Sequence, residues 1–120
     1  MEDIIKTFSI KNDYEFRRIY KRGRSFVNAA LVIYILKNKK NMNRVGITTS
    51  RKIGNAVARN RARRIIREAY RQYEEKLPVG YDFIFVARTR TCQIKTQNVA
   101  KVMGGIFVSA KLLENNRHTV

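Results

Sequence analysis

A dense run of basic residues between positions 51 and 67 is the strongest chemical feature of the sequence. Guanidinium groups bind phosphate oxygens in a bidentate way and stack on bases. If this run forms a helix that begins near Asn55, the free backbone N–H groups of its first turn would also bind phosphate. A solvated basic helix face is the alternative interpretation. The density of basic residues favours a contact with nucleic acid instead. The candidate residues are Arg51, Lys52, Arg59, Asn60, Arg61, Arg63, Arg64 and Arg67.

Three aromatic residues, Phe16, Tyr20 and Tyr34, form a second candidate group. Several cations flank the first two of them in the chain. Aromatic rings among cations can stack on unpaired bases while the cations hold the backbone. However, Phe16 and Tyr20 are four residues apart, a spacing that is equally typical of core residues on one helical face. The pattern alone therefore favours a core role for these rings. Arg88 is a further candidate, since it could extend the basic surface.

The net charge is concentrated in the middle of the chain. The sequence has 26 Lys and Arg against nine Asp and Glu, a formal net charge of +17. Residues 16–67 contain 16 of those basic residues and no acidic residue. Because the same stretch carries strand-like and helix-like apolar patterns, the charge belongs to a folded body rather than to a tail. Such a charge is typical of a protein that binds a polyanion.

Several classes of function are disfavoured. One cysteine, Cys92, and one histidine, His118, offer almost no material for a nucleophile pair, a multi-histidine metal site or a Ser-His-Asp triad. We interpret both as structural or incidental. The longest apolar run, residues 29–36, is too short to span a bilayer, and the N-terminus lacks the features of a signal peptide. These observations favour a cytoplasmic protein without a membrane partner.

Apolar periodicity predicts one α+β domain over residues 1–120. The predicted order is α-β-β-α-β-α, with one more strand if the long first strand is split. Helices are expected at residues 13–21, capped by Asn12 or Asp13 and ended by Gly23, and at residues 56–76 and 95–113. Strands are expected at residues 26–37, 44–49 and 81–87.

Two packing expectations follow from this periodicity. Both faces of the strand at residues 26–37 are apolar, so it should be central or covered on both sides. In the helix at residues 56–76, an apolar stripe should face inward, while Arg63, Arg64, Arg67 and Arg71 lie on the opposite side. Gly104 and Gly105 weaken the last helix, and a close packing contact there would explain them.

A specific motif accompanies the basic run. Val45-Gly46-Ile47 leads through Lys52-Ile53-Gly54-Asn55-Ala56-Val57 into Arg59-Asn60-Arg61. This stretch resembles the protein subunit of bacterial ribonuclease P. The resemblance extends to Phe16, Tyr20, Tyr34 and Ala87-Arg88, whereas the last helix resembles the family only in pattern.

The resemblance implies a fold of α-β-β-β-α-β-α type with a left-handed βαβ crossover. It also implies a ribonucleoprotein that removes the 5′ leader of precursor tRNA. The catalytic RNA subunit would carry the chemistry with Mg²⁺ that it largely holds itself. The protein would then have no catalytic residue, no cofactor of its own and no small-molecule substrate.

The resemblance also assigns roles to residues. Arg59, Asn60, Arg61, Arg63, Arg64 and Arg67 would contact the catalytic RNA, and Arg51 and Lys52 would contact that RNA or the leader. Phe16, Tyr20 and Tyr34 would be exposed on the floor of a cleft that takes the leader, with Arg88 nearby.

Two other functions remain open from the residues. A structural RNA-binding protein, such as a ribosomal one, would have a similar size and charge. A stand-alone nuclease would depend on an acidic residue such as Asp82. The scattered acidic residues argue against a nuclease, because a two-metal site needs clustered carboxylates.

Overall fold

A mixed sheet of five strands forms the centre of the molecule, seen here in a computed structural model that describes residues 7–114. His118 lies outside the described residues. The strands are β1 (Thr7–Ser9), β2 (Arg24–Asn28), β3 (Leu31–Lys37), β4 (Asn43–Thr48) and β5 (Tyr81–Ala87). The helices are α1 (Asp13–Arg22), α2 (Ala56–Arg71) and α3 (Thr96–Ser109), and short 3₁₀ turns lie at Arg51–Ile53 and Thr89–Gln93.

The strands lie in the order β1-β4-β5-β3-β2. β4 runs parallel to both of its neighbours, β1 and β5, whereas β3 is antiparallel to both β5 and β2. Because β4 and β5 are parallel and adjacent, α2 must carry the chain from one end of the sheet back to the other. This arrangement confirms the predicted α+β class, and the handedness of the crossover stays a prediction.

The strand predicted at residues 26–37 is two strands joined by a tight turn. β2 pairs with β3 from Arg24 opposite Ile35 to Asn28 opposite Leu31. At the turn, the side-chain Oδ1 of Asn28 accepts a hydrogen bond from the backbone N–H of Ala30 at 2.8 Å. Asparagine stabilises turns in this way, so one side chain divides an otherwise continuous apolar run. The three-strand order implied by the resemblance is therefore confirmed, and β1 is an additional strand that no pattern predicted.

The two faces of the sheet carry different layers, because successive side chains of a strand point to opposite sides. On one face, Ile33, Phe83 and Phe85 pack against α2 and α3 in the main core. On the other face, a smaller cluster is formed around Ile19 of α1 and Ile84 of β5, both fully buried. The prediction of a central or covered strand at residues 26–37 is thus confirmed for β3, whereas β2 is an edge strand with mostly exposed residues.

The helix ends follow local chemistry. α1 ends at Gly23 as predicted, but Gly23 has an ordinary φ of −75°. A Cβ atom there would lie 2.7 Å from the carbonyl oxygen of Ile19, so lack of space requires the glycine. Asn12 is the cap residue of α1 but makes no side-chain capping bond. α2 ends at Arg71, earlier than predicted, and α3 ends at Ser109.

The close contact predicted for the glycine pair of α3 exists at Gly104 only. A Cβ atom on Gly104 would lie 2.9 Å from Cζ of Tyr73, whereas nothing lies within 4 Å of the corresponding position on Gly105. The hydroxyl of Tyr73 donates a hydrogen bond to the carbonyl of Ala100 at 2.6 Å. Burial raises the pKa of Tyr73 above its ordinary value. Gly104 therefore allows α3 to pack closely against the end of α2.

A buried ion cluster joins α1 to the sheet. Arg44 of β4 donates to both carboxylate oxygens of Asp82 at 2.9 and 2.8 Å, and to both oxygens of Glu15 at 2.8 and 3.0 Å. Asp82 is fully buried, and Glu15 and Arg44 are more than nine-tenths buried. The hydrogen bond with Asp82 is the main cause that raises the pKa of Arg44 above its ordinary value. Arg44 therefore stays charged and holds α1 against β4 and β5.

Arg44→Met should lower the free energy of unfolding by about 3–5 kcal/mol, because it leaves two carboxylates buried without their partner. Urea denaturation would measure the loss. Arg18→Met is the matched control, since Arg18 lies 3.9 Å from the same Asp82 oxygen but is 46% exposed. An exposed pair contributes about 0–1 kcal/mol. Equal losses in the two variants would contradict the special role of Arg44.

Candidate nucleic-acid interface

Phe16, Tyr20 and Tyr34 lie side by side on the α1 face of the sheet, and we call this group the aromatic cleft. The ring centroids of Phe16 and Tyr20 are 6.3 Å apart. Those of Tyr20 and Tyr34 are 4.8 Å apart, with the rings edge to face. Tyr20 is 38% exposed, while Phe16 and Tyr34 are half-buried. The core role favoured by the pattern is wrong for Tyr20, because Ile19 takes the buried position on this face of α1.

Gly46 of β4 determines how closely Phe16 approaches the sheet. A Cβ atom at this position would lie 2.6 Å from Cζ and 2.7 Å from Cε1 of Phe16. Real side chains do not come so close, so any larger residue would displace the ring. Gly46 is therefore a packing position that shapes the aromatic cleft.

The α1 helix covers only part of its face of the sheet. Strand alternation places Val32, Thr48 and Val86 on the same face as Tyr34, and all three are half-buried. Val27 of β2 lies opposite Val32 and is 71% exposed. An open apolar strip therefore continues from the aromatic cleft across the sheet.

Cations lie at one end of this strip. Arg51 and Lys52 follow β4, and Arg88 follows β5; all three are exposed. Because β4 and β5 are parallel, both chain segments leave the sheet at the same end. Arg88 also donates from Nη1 to the carbonyl of Asn28 at 3.0 Å, which restrains its side chain beside the β2–β3 turn.

The first turn of α2 is well ordered by local hydrogen bonds. The side chain of Asn55 caps the helix by accepting from the N–H of Ala58 at 3.0 Å. Arg59 donates to the carbonyl of Gly54 at 2.8 Å. Asn60 accepts from Nη1 of Arg63 at 3.2 Å. Asn60 therefore positions an arginine, which the sequence alone did not reveal.

Asn60 and the arginines of α2 form two groups. Asn60, Arg61 and Arg64 are exposed on the outer side of the helix. Arg63, Arg67 and Arg71 instead border a groove of about 410 Å³ between α2 and the β1–β4 edge of the sheet. The prediction that these three lie on the side opposite the core is confirmed for Arg67 and Arg71, which are exposed, whereas Arg63 is half-buried beside the sheet edge.

Arg44 forms ion pairs with Glu15 and Asp82, and Arg18 lies 3.9 Å from Asp82. These two carboxylates are therefore not available to the arginines of α2.

The described residues contain no group of three or more His, Cys, Asp or Glu side chains that could hold a metal ion. Asp82, the candidate acid of a stand-alone nuclease, is fully buried and bound to Arg44.

Cys92 is half-buried, and its Sγ lies 3.4 Å from the carbonyl oxygen of Thr89. A helix long and apolar enough to cross a membrane is not found in residues 7–114.

This chain resembles known proteins over most of its length. The family model described as Ribonuclease P matches residues 5–111. This chain belongs to the ribonuclease P protein family. The ribonuclease P protein component of Clostridioides difficile (strain 630) is 48% identical over 100 residues, which cover 82% of this chain and 88% of the relative. That of Clostridium beijerinckii is 39% identical over 119 residues, 93% of this chain and 95% of the relative.

Solved structures of ribonuclease P proteins have the same fold. The Staphylococcus aureus RNase P protein, at 2.0 Å, matches with a TM-score of 0.79 and 33% identity, over 89% of this chain and 98% of that one. The Thermotoga maritima RNase P protein matches with a TM-score of 0.73 and 26% identity, over 82% and 93% of the two chains. Membership of the ribonuclease P family makes the chain a subunit of a tRNA-processing endoribonuclease complex and implies its RNA as partner.

Sequence reasoning missed three functional features. Glu15 and Arg44 carry no motif, and only the fold shows that they position α1 and its aromatic rings. The groove beside α2 depends on β1, a strand of three residues that has no clear periodicity. The role of Gly46 could have been inferred from the sequence, because a glycine inside a strand often marks a site where another group packs closely against the backbone.

Proposed function

We propose that this protein binds the catalytic RNA of ribonuclease P through one surface and the 5′ leader of precursor tRNA through another. The first is the arginine surface, made of Arg51, Lys52, Arg59, Asn60, Arg61, Arg63, Arg64 and Arg67. The second is the aromatic cleft with Arg88. The observation that carries the proposal is that one sheet positions both: the aromatic cleft lies on one face, α2 packs on the other, and Phe16 and the groove beside α2 connect them.

The shape of the aromatic cleft suits a single strand. Tyr20 stands edge to face against Tyr34 and keeps 38% of its surface exposed, so a base can stack on it. The apolar strip beside it offers further contact to unpaired bases. Arg88 at the end of the sheet can bind a phosphate as the strand leaves. A paired helix would not reach these rings, because its bases stack on one another.

The arginine surface suits a folded RNA. Six of its eight side chains project from a capped helix that packs on the sheet through Ala62, Ile66 and Ala69, all fully buried. A rigid array of guanidinium groups can match phosphates at fixed positions, whereas a flexible basic tail cannot. Phosphate contacts of this kind fix position and supply much of the affinity.

The protein is proposed to supply binding and not chemistry. Its buried carboxylates, Glu15 and Asp82, are bound to Arg44 and do not fit a protein-held metal site. Mg²⁺ in the complex is therefore assigned mainly to the RNA, which would carry out cleavage at the mature 5′ end. The complex would act in the bacterial cytoplasm, where precursor tRNA is made.

The test is cleavage of a precursor tRNA at low Mg²⁺ by a bacterial ribonuclease P RNA, with and without this protein. We expect cleavage at the mature 5′ end that depends on the protein, and none with protein alone, because the protein would add affinity for the leader. Absence of stimulation by folded protein would leave a general RNA-binding protein as the better interpretation. Cleavage by protein alone would favour a nuclease.

Tyr20→Ala should weaken holoenzyme binding of precursor tRNA by about 1–3 kcal/mol, the range for a lost base stack. Binding of mature tRNA should change little, since it has no leader. Filter-binding titrations of the two RNAs would measure the difference. Tyr14→Ala is the matched control, because Tyr14 lies on the same helix but is 62% exposed and outside the cleft. Equal losses for both RNAs would point to a defect other than leader binding.

Arg61→Ala combined with Arg64→Ala should weaken binding to the catalytic RNA and flatten its salt dependence. Each lost phosphate contact lowers the slope of log K against log salt by about one. The double variant Lys95→Ala with Lys101→Ala removes the same charge away from α2, because Lys95 is the N-cap residue of α3, Lys101 lies within α3 and both are exposed. The same salt titration of this variant measures the effect of lost charge alone. An equal change of slope in both double variants would contradict a specific role for α2.

A further inference from the structure

The groove between α2 and the open edge of β4 has the features of a ligand site. Apolar side chains of Val45, Ile47 and Phe85 line it together with Tyr70, and Arg63, Arg67 and Arg71 form its other side. Its volume of about 410 Å³ lies within the range of small-molecule pockets, about 300–1,000 Å³. An apolar surface beside a row of cations matches a ligand with one flat apolar part and one anionic part.

The open strand edge adds hydrogen-bonding groups. β1 pairs with β4 only as far as Val45, whose carbonyl accepts from the N–H of Ile10 at 2.9 Å. Backbone groups of alternate residues in a parallel strand point to the same side, so those of Ile47 also point to this edge. Within residues 7–114 no strand continues beside Ile47, and an unpaired edge offers both a donor and an acceptor. A nucleobase edge can bind to such a pair.

The apolar side of the groove, beside its cations, favours a nucleotide over a simple anion. Arg63, Arg67 and Arg71 recur every four residues along α2, so they form one row that a phosphate can approach. Glu74, a carboxylate, also lines the groove. A free anion would gain nothing from the apolar side. A base can occupy that side while its phosphate lies on the arginines.

The groove also joins the two proposed RNA-binding surfaces. Phe16 borders both the groove and the aromatic cleft, and Arg63 and Arg67 belong to the arginine surface. A strand that lies in the cleft could therefore pass round the open edge of β4 without losing contact with the protein.

From these observations we propose that the groove binds one unpaired nucleotide of an RNA strand, with its base against Val45 and Ile47 and its phosphate on the arginine row. This assignment rests on the proposed function, since the RNA would be the leader or the catalytic RNA. Both sources present the same chemistry to the groove.

Adenosine 5′-monophosphate and ribose 5-phosphate are the probes for the site itself, and amide NMR spectra of the full chain are the measurement. We expect adenosine 5′-monophosphate to shift the amides of Val45, Gly46 and Ile47 at concentrations about tenfold lower than ribose 5-phosphate requires. The base supplies that difference, which corresponds to about 1.4 kcal/mol. Equal effects of the two probes would overturn the proposal, because the groove would then bind anions only.

Ser9→Trp should fill the groove without changing the charge, because Ser9 is exposed on the edge strand and lines the groove. It should abolish the shifts caused by adenosine 5′-monophosphate. Ser109→Trp is the matched control, an exposed serine at the end of α3 outside the groove. Arg71→Ala, with Lys101→Ala as its control, gives the same test without added bulk. Unchanged nucleotide shifts in both groove variants would overturn the proposal.

The source of the nucleotide follows from two affinities of the complex. If Ser9→Trp weakens holoenzyme binding of precursor tRNA about tenfold but spares mature tRNA, the nucleotide belongs to the leader. If it weakens binding of the protein to the catalytic RNA, the nucleotide belongs to that RNA. If neither affinity changes, the groove proposal fails. Protein-dependent cleavage by the unaltered protein would still support the proposed function, so the two failures are distinguishable.

Discussion

The position of α1 depends on Arg44, a charged residue buried between two carboxylates of different elements. Glu15 comes from α1 and Asp82 from β5, and Arg44 binds both with two hydrogen bonds each. Apart from this cluster, α1 is held mainly by Ile19 against a small apolar group. Buried ion pairs contribute little net stability, but breaking one is costly, so they specify an arrangement more than they stabilise it. Here the arrangement is the one that sets Phe16 and Tyr20 beside Tyr34.

The same strands serve two purposes because their side chains alternate. Ile33, Phe83 and Phe85 fill the core under α2 and α3, whereas Tyr34 and Val86, on the intervening positions, face the cleft. Pairing of β4 with β5 in parallel then brings Arg51, Lys52 and Arg88 to one end of the sheet. A binding surface built in this way is rigid, since its floor is the reverse side of the core.

The charges are also divided between the interior and the surface of the protein. Of 26 basic residues, Arg44 is taken into the interior and neutralised there, while those of α2 face outward or into the groove. A formal net charge of +17 repels itself in a folded chain. Binding of RNA phosphates would relieve that repulsion, so the surface that recognises RNA would also gain stability from it.

Much of this protein could be predicted from its sequence, because the signals were local. The limits of β5, the start of α1, the arginine run and the aromatic residues all follow from patterns within a few residues, and the motif around Arg59-Asn60-Arg61 was enough to indicate the family. Other features depended on contacts between distant positions. Arg44 meets residues 29 and 38 positions away, and β1 exists only because β4 pairs with it. The side of α2 on which Arg63 and Arg67 lie was predicted from helical periodicity, which cannot show that a sheet edge stands beside that side. Local residue types therefore determined what the chain could bind, and tertiary packing determined which of those residues meet at one site.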